Sequence, residues 1–287
     1  MMMLSEAYLK FRDAMSKLPP PGSEPPKGPP PEGVYLMGGA FPIPSGVAVS
    51  DDVLAGVPVT WAKPEGAPEN KLLVYIHGGG FQAVPPGKYM KFPFVAELAA
   101  RSGLVCIAPD YRLMPENHFP DTLHDCAAVY QELLKMGFHA EDIGVVGESA
   151  GGNLSLALWL WCKAYGVALP GAVASLSPAS DLSGTEAHIG RRLAPDTDLT
   201  APFLSPRYGD FRGLKRVFVQ YGTDDLDAIL SGPGEEMISA MGEQGVEVVY
   251  DKCLGLGHAF ATDVGIYPEA DEACQRAIEF LKAELGF

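Results

Sequence analysis

Short apolar runs alternate with segments of helical periodicity along most of this chain, and this alternation restricts the folds that the chain can adopt. The apolar runs lie at residues 72–76, 104–108, 143–146, 172–176, 217–221 and 246–250. The helical segments lie at residues 92–101, 122–136, 153–165, 235–243 and 269–285. Continuous apolar strands that alternate with helices are typical of βαβ units. The sequence therefore predicts an α/β fold with a mostly parallel sheet buried on both faces.

The region before the first of these runs has a different pattern. Apolar residues alternate with polar ones on either side of Ala55-Gly56, which predicts an antiparallel hairpin. Apolar residues at helical spacing, beginning with Leu4 and Tyr8, predict a short amphipathic helix over residues 4–17. A proline-rich stretch, residues 19–31, follows and predicts an extended linker. We therefore separate residues 1–45 from a main domain at 46–287, in which the polar segment 181–213 is either part of a lid or a long surface loop.

The composition excludes several classes of protein. The 287 residues carry a formal net charge of −15, which disfavours binding to nucleic acid or to an anionic membrane surface. The five cysteines are scattered without a C-x-x-C pair, so they predict buried small side chains rather than disulfides or a zinc site. The sequence has no apolar run long enough to span a membrane. Residues 1–10 lack the pattern of a secretory signal, so we expect a cytoplasmic protein.

The most informative motif is G-x-S-x-G at residues 147–151. An apolar strand leads directly into it and an apolar-periodic helix follows, which is the context that a nucleophile elbow requires. Ser149 is therefore the predicted nucleophile, on a tight turn flanked by glycines. The N-terminus of the following helix directs free N–H groups toward the reacting centre.

A second glycine-rich stretch, His77-Gly78-Gly79-Gly80-Phe81, follows the apolar run 72–76. Glycines allow the backbone to approach a substrate closely and to present consecutive N–H groups to an oxyanion. We predict an oxyanion hole formed by the amides of Gly78, Gly79 and Ala150. His77 is predicted to hold this loop through hydrogen bonds.

The predicted nucleophile requires a base and an acid, which in this type of fold follow it in the order Asp or Glu, then His. His258 follows the last apolar run among small residues and is the predicted base. Two adjacent acids follow the run 217–221, and we take Asp225 as the acid with Asp224 as the alternative. The remaining histidines belong to no recognisable metal-binding motif, so we predict no metal site.

With these elements in order, the chain resembles the hormone-sensitive-lipase-like carboxylesterases of the α/β-hydrolase superfamily over residues 70–285. The matching stretches are HGGGF at 77–81, DYRLMPENHFP at 110–120 and GESAGG at 147–152. Glu148 stands where the family commonly has Asp or Thr, which places it among the residues that support the site. The stretch 110–120 is predicted to be structural support beneath the site.

The resemblance implies an eight-stranded, mostly parallel sheet flanked by helices, with a helical cap formed by the N-terminus and a later insertion. It also implies hydrolysis of short- to medium-chain acyl esters by a serine esterase without a cofactor, on small-molecule substrates and in an enzyme that is often a homodimer. Two alternatives remain open at this point. The first is a non-catalytic small-molecule receptor on the same fold, and the second is an amidase, lactonase or deacetylase with the same triad.

Overall fold

Eight strands form one sheet in the computed structural model, which describes residues 4–16, 43–82, 92–184, 186–224 and 226–287. The strands are β1 (Val47–Leu54), β2 (Val57–Pro64), β3 (Leu72–Ile76), β4 (Val105–Pro109), β5 (Ile143–Glu148), β6 (Ala172–Leu176), β7 (Arg216–Gly222) and β8 (Glu247–Cys253). Their order across the sheet is β1-β2-β4-β3-β5-β6-β7-β8. The predicted eight-stranded sheet is confirmed.

The sheet is parallel from β4 to β8 and antiparallel at the other edge. Strands β1 and β2 form the predicted hairpin, in which Leu54 pairs with Val57 across Ala55-Gly56. Ala55 and Gly56 both have positive φ angles, of 49° and 84°, which is the conformation that a two-residue hairpin turn uses. Strand β2 is antiparallel to β4, and the remaining neighbours are parallel. The carboxyl ends of β3 and β5–β8 therefore lie at one edge of the sheet.

Seven α-helices belong to the described part of the chain. They are α1 (Glu6–Ser16), α2 (Phe92–Ser102), α3 (Asp121–Lys135), α4 (Ala150–Tyr165), α5 (Ala187–Leu193), α6 (Asp227–Glu243) and α7 (Pro268–Glu284). Most match the predicted helices within three residues. Helix α6 differs, because it begins at Asp227, eight residues before the predicted start, and contains Pro233 in its interior.

Strand β3 shows why the apolar runs are continuous rather than alternating. Its five residues are all buried, and successive side chains point to opposite faces. Leu73 and Tyr75 pack with residues of α2 and α7, while Leu72, Val74 and Ile76 pack with residues of α3 and α4. Helices thus cover both faces of the sheet, as predicted for a parallel sheet. Four of the five cysteines are buried and Cys253 is half-buried.

Helix α1 packs beside the start of α7. The backbone N–H and hydroxyl of Ser5 both donate to the carboxylate of Glu269, and the ring of Tyr8 lies edge-on to Tyr267 with the centroids 5.0 Å apart. The proline-rich stretch 19–31 and residues 83–91 lie outside the described part of the chain. Among the helices that the structure describes, none combines the length and the apolarity that crossing a membrane requires.

Candidate active site

Ser149 occupies the turn between β5 and α4, at the carboxyl end of the central strand of the sheet. Its backbone has φ 55° and ψ −119°, a conformation that residues with a side chain rarely adopt. The turn is tight enough to exclude side chains on both sides. A Cβ atom at Gly147 would lie 2.3 Å from the carbonyl oxygen of Gly151, and one at Gly151 would lie 1.9 Å from that of Ile76. The glycines of the motif are thus required by close backbone contacts.

His258 lies beside Ser149, although 109 residues separate them in the chain. Its Nε2 atom is 2.8 Å from the Ser149 Oγ atom, and its Nδ1 atom is 2.6 Å from an oxygen of Asp227. A carboxylate can only accept, so Nδ1 carries the proton that it donates to Asp227. Nε2 is then the acceptor for the Ser149 hydroxyl. The structure brings together a hydroxyl, an imidazole and a carboxylate in the geometry of a Ser-His-Asp triad.

The carboxylate beside His258 belongs to Asp227, and this corrects the prediction of Asp225 or Asp224. Asp224 pairs instead with Arg12 of α1 at 3.0 Å, with both side chains about half exposed. Asp225 lies outside the described residues. The physical reason for the correction is the early start of α6, which places Asp227 in the first turn of the helix with its side chain fully buried. A helix N-terminus stabilises the negative charge of this carboxylate.

The second oxygen of Asp227 accepts two more hydrogen bonds. The Ser177 hydroxyl and the backbone N–H of Gly222 each donate to it at 2.6 Å. These two bonds restrain the rotation of the carboxylate, and its first oxygen is directed at His258. The sequence motifs assign no role to Ser177, although it directly follows β6 at the same sheet edge as Ser149.

The glycine-rich loop 77–81 lies next to Ser149, but its amides do not all serve the same purpose. The N–H of Gly78 is buried and donates to a carboxylate oxygen of Glu148 at 2.6 Å. That amide is unavailable to a substrate, which corrects the prediction for Gly78. Gly79 and Gly80 are partly exposed, and no described residue accepts a hydrogen bond from their N–H groups. The direction of the Gly78 amide depends on this distant contact with Glu148, which the local glycine motif does not display.

His77 is buried and contacts the loop both by ring packing and by hydrogen bonds. Its ring stacks on Tyr111 with the centroids 4.4 Å apart, and the Tyr111 hydroxyl donates to the carbonyl oxygen of His77 at 2.7 Å. The Nδ1 atom of His77 lies 2.7 Å from the carbonyl oxygen of Gly78. Tyr111 belongs to the stretch 110–120, which therefore contacts the loop from below. These contacts agree with the supporting roles that the sequence predicts for His77 and for this stretch.

Glu148 is a buried carboxyl next to the nucleophile, and Gly78, Tyr75 and His258 all interact with it. Burial raises the pKa of Glu148 to about 7, although the hydrogen bond from Gly78 opposes this effect. Its other oxygen, Oε2, has no hydrogen-bond partner among the described residues. Glu148 thus connects the turn of the nucleophile with the glycine-rich loop 77–81 through its hydrogen bond to Gly78. The raised pKa of Glu148 lies near neutral pH.

The arrangement is suited to nucleophilic catalysis on a carbonyl. Ser149 can lose its proton to His258 as it attacks, and Asp227 stabilises the imidazolium that forms. The N–H of Ala150, at the first position of α4, lacks an intrahelical acceptor and adjoins the nucleophile. Among the described residues, no cluster of three or more His, Cys, Asp or Glu side chains could hold a metal ion.

The chain is similar in sequence and in structure to known hydrolases. The family model described as the alpha/beta hydrolase fold matches residues 73–262. An esterase of Acinetobacter venetianus is 29% identical in an alignment that covers 79% of this chain and 79% of that protein. An acetyl-hydrolase of Streptomyces hygroscopicus is 26% identical in an alignment that covers 84% of this chain and 85% of that protein. The crystal structure of an esterase from the bacterial hormone-sensitive lipase family covers 86% of this chain and 88% of its own, with 27% identity and a TM-score of 0.79.

Proposed function

The chain belongs to the α/β-hydrolase fold family, and from this premise we propose that it is a serine carboxylesterase in which Ser149, His258 and Asp227 form the catalytic triad. The resemblance to hormone-sensitive-lipase-like esterases is confirmed by the family match and by the related esterases. The observation that carries the assignment of the residues is the pair of hydrogen bonds that His258 makes, to Ser149 on one side and to Asp227 on the other.

The reaction begins when the Ser149 oxygen attacks the carbonyl carbon of the ester. The Ser149 proton passes to Nε2 of His258, and the carbonyl oxygen becomes an oxyanion. The amides of Gly79, Gly80 and Ala150 are the proposed donors to this oxyanion, and the loss of one such donor costs about 3 kcal/mol of barrier. Gly80 takes the place that the sequence prediction gave to Gly78.

The tetrahedral intermediate then collapses, and His258 returns its proton to the leaving alcohol. The C–O bond to the alcohol breaks, and the acyl group remains on Ser149 as an ester. Water attacks this acyl-enzyme with His258 again as the base, and the acid product leaves with regeneration of the Ser149 hydroxyl. The proton transfer between Ser149 and His258 uses two groups that already lie within hydrogen-bonding distance, and Asp227 is bonded to the same imidazole.

The proposed substrates are short- to medium-chain acyl esters of small molecules. An acetyl-hydrolase among the relatives supports acceptance of acyl groups as small as acetyl. The observed bond between His258 and Ser149 argues against the alternative of a non-catalytic receptor, because a receptor has no use for an activated hydroxyl. Amides and lactones remain alternative substrates of the same triad.

The cap is proposed to consist of α1 and the segment 181–213, which contains α5. Helix α1 contacts the connection between β7 and α6 through the ion pair of Arg12 with Asp224. The buried Glu186, which directly precedes α5, interacts electrostatically with His258. Both segments thus border the triad. The homodimer and the cytoplasmic location stay predictions.

The experiment that tests the proposed function compares the unaltered chain with Ser149→Ala. We expect the unaltered chain to hydrolyse p-nitrophenyl acetate and to be labelled covalently by an organophosphonate at Ser149. The variant should show neither reaction while its circular dichroism spectrum is retained. Turnover by the variant, or failure of the unaltered chain to react with either reagent, would contradict the proposal. A series of p-nitrophenyl esters of increasing acyl length then defines the pocket.

A further inference from the structure

Ser177 directly follows β6, and its hydroxyl contacts both of the segments that carry the partners of the nucleophile, namely α6 and the loop after β8. The hydroxyl donates to the second oxygen of Asp227 at 2.6 Å and accepts a hydrogen bond from the backbone N–H of Ala259 at 3.2 Å. Ala259 is the residue after His258. One side chain thus connects the first turn of α6, which carries the acid, with the loop after β8, which carries the base.

The backbone of Ser177 is held in an unusual conformation. Its φ angle of 43° lies in the left-handed region, where a side chain costs free energy. The residue is fully buried, and its N–H donates to the carbonyl oxygen of Gln220 at 2.7 Å. A glycine would relieve the strain but would lack the hydroxyl. The presence of serine at such a position indicates that the side chain has a use.

The hydroxyl acts on both partners of the triad at once. By donating to one oxygen of Asp227 it prevents the carboxylate from rotating and leaves the other oxygen directed at His258. By accepting from Ala259 it fixes the start of the turn that carries His258, where Ala259 also has a positive φ of 55°. A hydroxyl has one donor and two acceptor positions, so it can make both contacts without competition.

We propose that Ser177 is a positioning residue that aligns Asp227 and His258 with each other through its single hydroxyl group. This inference rests on the proposed function of Ser149, His258 and Asp227. The positive end of the Ser177 O–H dipole also partly offsets the charge of Asp227. Its removal leaves the carboxylate a stronger partner for the protonated imidazole and, at the same time, a less well oriented one.

The test uses the full chain with two variants at this position. Ser177→Ala removes the hydroxyl and keeps the backbone strain, whereas Ser177→Gly removes the hydroxyl and suits the φ angle. Ser102→Ala is the matched control, because Ser102 is also buried and its hydroxyl likewise donates one hydrogen bond and accepts one from a backbone N–H, although here the acceptor is a backbone carbonyl. Its partners, Ala99 and Leu104, lie outside the site. Organophosphonate labelling carried to completion gives the concentration of reactive Ser149 for every rate, and circular dichroism gives the folded fraction.

In both Ser177 variants we expect kcat for p-nitrophenyl acetate to fall about tenfold or more, with KM changed by less than about threefold. The acid limb of the pH profile of kcat/KM should move upward by about half a pH unit. Other carboxyls act electrostatically on His258, namely Glu148, Glu186 and Asp263, but all variants retain them. Ser102→Ala should have the unaltered profile.

A nuclear magnetic resonance measurement makes the result independent of turnover. The Nδ1–H proton of His258, hydrogen-bonded to Asp227, should give a downfield signal that shifts or broadens in both Ser177 variants and is unchanged in Ser102→Ala. An unchanged signal and an unchanged acid limb in both variants would overturn the role of Ser177. Lack of turnover in the unaltered chain would contradict the proposed function instead, and the signal would still decide whether Ser177 orients the pair.

Discussion

Asp224 and Asp227 lie three residues apart and face different partners: Asp224 pairs with Arg12 on the first helix, while Asp227 is hydrogen-bonded to His258. The side chain of Asp227 is fully buried, whereas that of Asp224 is 43% exposed. Only the buried carboxylate can hold the tautomer of His258 and stabilise the imidazolium. The exposed one contributes to the attachment of α1.

The first prediction separates these two acids by matched substitutions. Asp227→Asn should lower kcat for p-nitrophenyl acetate by about 10³- to 10⁴-fold, because the amide does not select the catalytic tautomer. Asp224→Asn should lower kcat by less than about threefold. Steady-state kinetics of both variants, with circular dichroism as the control for folding, provides the measurement. A larger loss of kcat in Asp224→Asn than in Asp227→Asn would show that the acid is misassigned.

The second prediction concerns Glu148 and the dependence of stability on pH. Burial raises the pKa of Glu148 to about 7, from an ordinary value of 4.5 in the unfolded chain. Between these values the folded chain binds more protons than the unfolded chain, so the free energy of unfolding falls as pH rises. The contribution of Glu148 is present in full below pH 4.5 and is lost as pH rises through about 7. Its size is on the order of 3 kcal/mol.

Glu148→Gln should remove this dependence while its side-chain oxygen still accepts from Gly78. We measure the urea midpoints of the variant and of the unaltered chain from pH 5 to 8. The difference, variant minus unaltered chain, should therefore increase as pH rises. Glu116→Gln is the control, because Glu116 is exposed and its substitution removes one charge without altering a buried site. Equal pH slopes for Glu148→Gln and the unaltered chain would show that Glu148 does not bind a proton in this range.

The sequence predicts the strands well because each is a short apolar run between polar residues. Strand β6 has the predicted bounds, and α4 begins directly after Ser149 as the nucleophile elbow requires. Local signals failed at α6, where Gly232, Pro233 and Gly234 suggest a break in a helix. Gly234 packs against the ring of Tyr221, which a Cβ atom would approach to 2.3 Å. Tertiary packing on the sheet therefore overrides local propensity.

The error in the acid arises at the same place as the error in the helix. Nearness to the end of β7 favours Asp224 and Asp225, whereas α6 begins at Asp227 and its first turn carries the carboxylate that contacts His258. The assignment of Gly78 failed for a related reason, since a contact with Glu148 across 70 residues sets the direction of its amide. Ser149 and His258 can be predicted because each lies among small residues shortly after a recognisable apolar strand. The directions of side chains and amides within the loops depend on contacts that a single sequence does not display.

The third prediction concerns the close packing of the elbow. Gly151→Ala should lower kcat by at least about 100-fold or prevent folding, because the added Cβ would lie 1.9 Å from the carbonyl oxygen of Ile76 and both atoms are held by backbone. Gly242→Ala is the control, since no described atom outside its own helix lies within 4 Å of a Cβ there. That change should stabilise the chain by about 0.5–1 kcal/mol. A folded Gly151→Ala variant with unaltered kcat would refute the role of this contact.

The last prediction ranks the contacts that hold α1 beside the active site. Tyr8 is 3% exposed and its ring packs on Tyr267, so Tyr8→Ala should destabilise the chain by about 3 kcal/mol. The Arg12–Asp224 pair is half exposed, and Arg12→Ala should cost about 1 kcal/mol or less. Urea unfolding measures both free energies. Tyr8→Ala should also increase the rate of proteolysis within residues 4–16, because the helix loses its main apolar attachment, whereas Arg12→Ala should leave that rate within about twofold. If Arg12→Ala has the larger effect on both measurements, α1 is held by charge rather than by apolar packing.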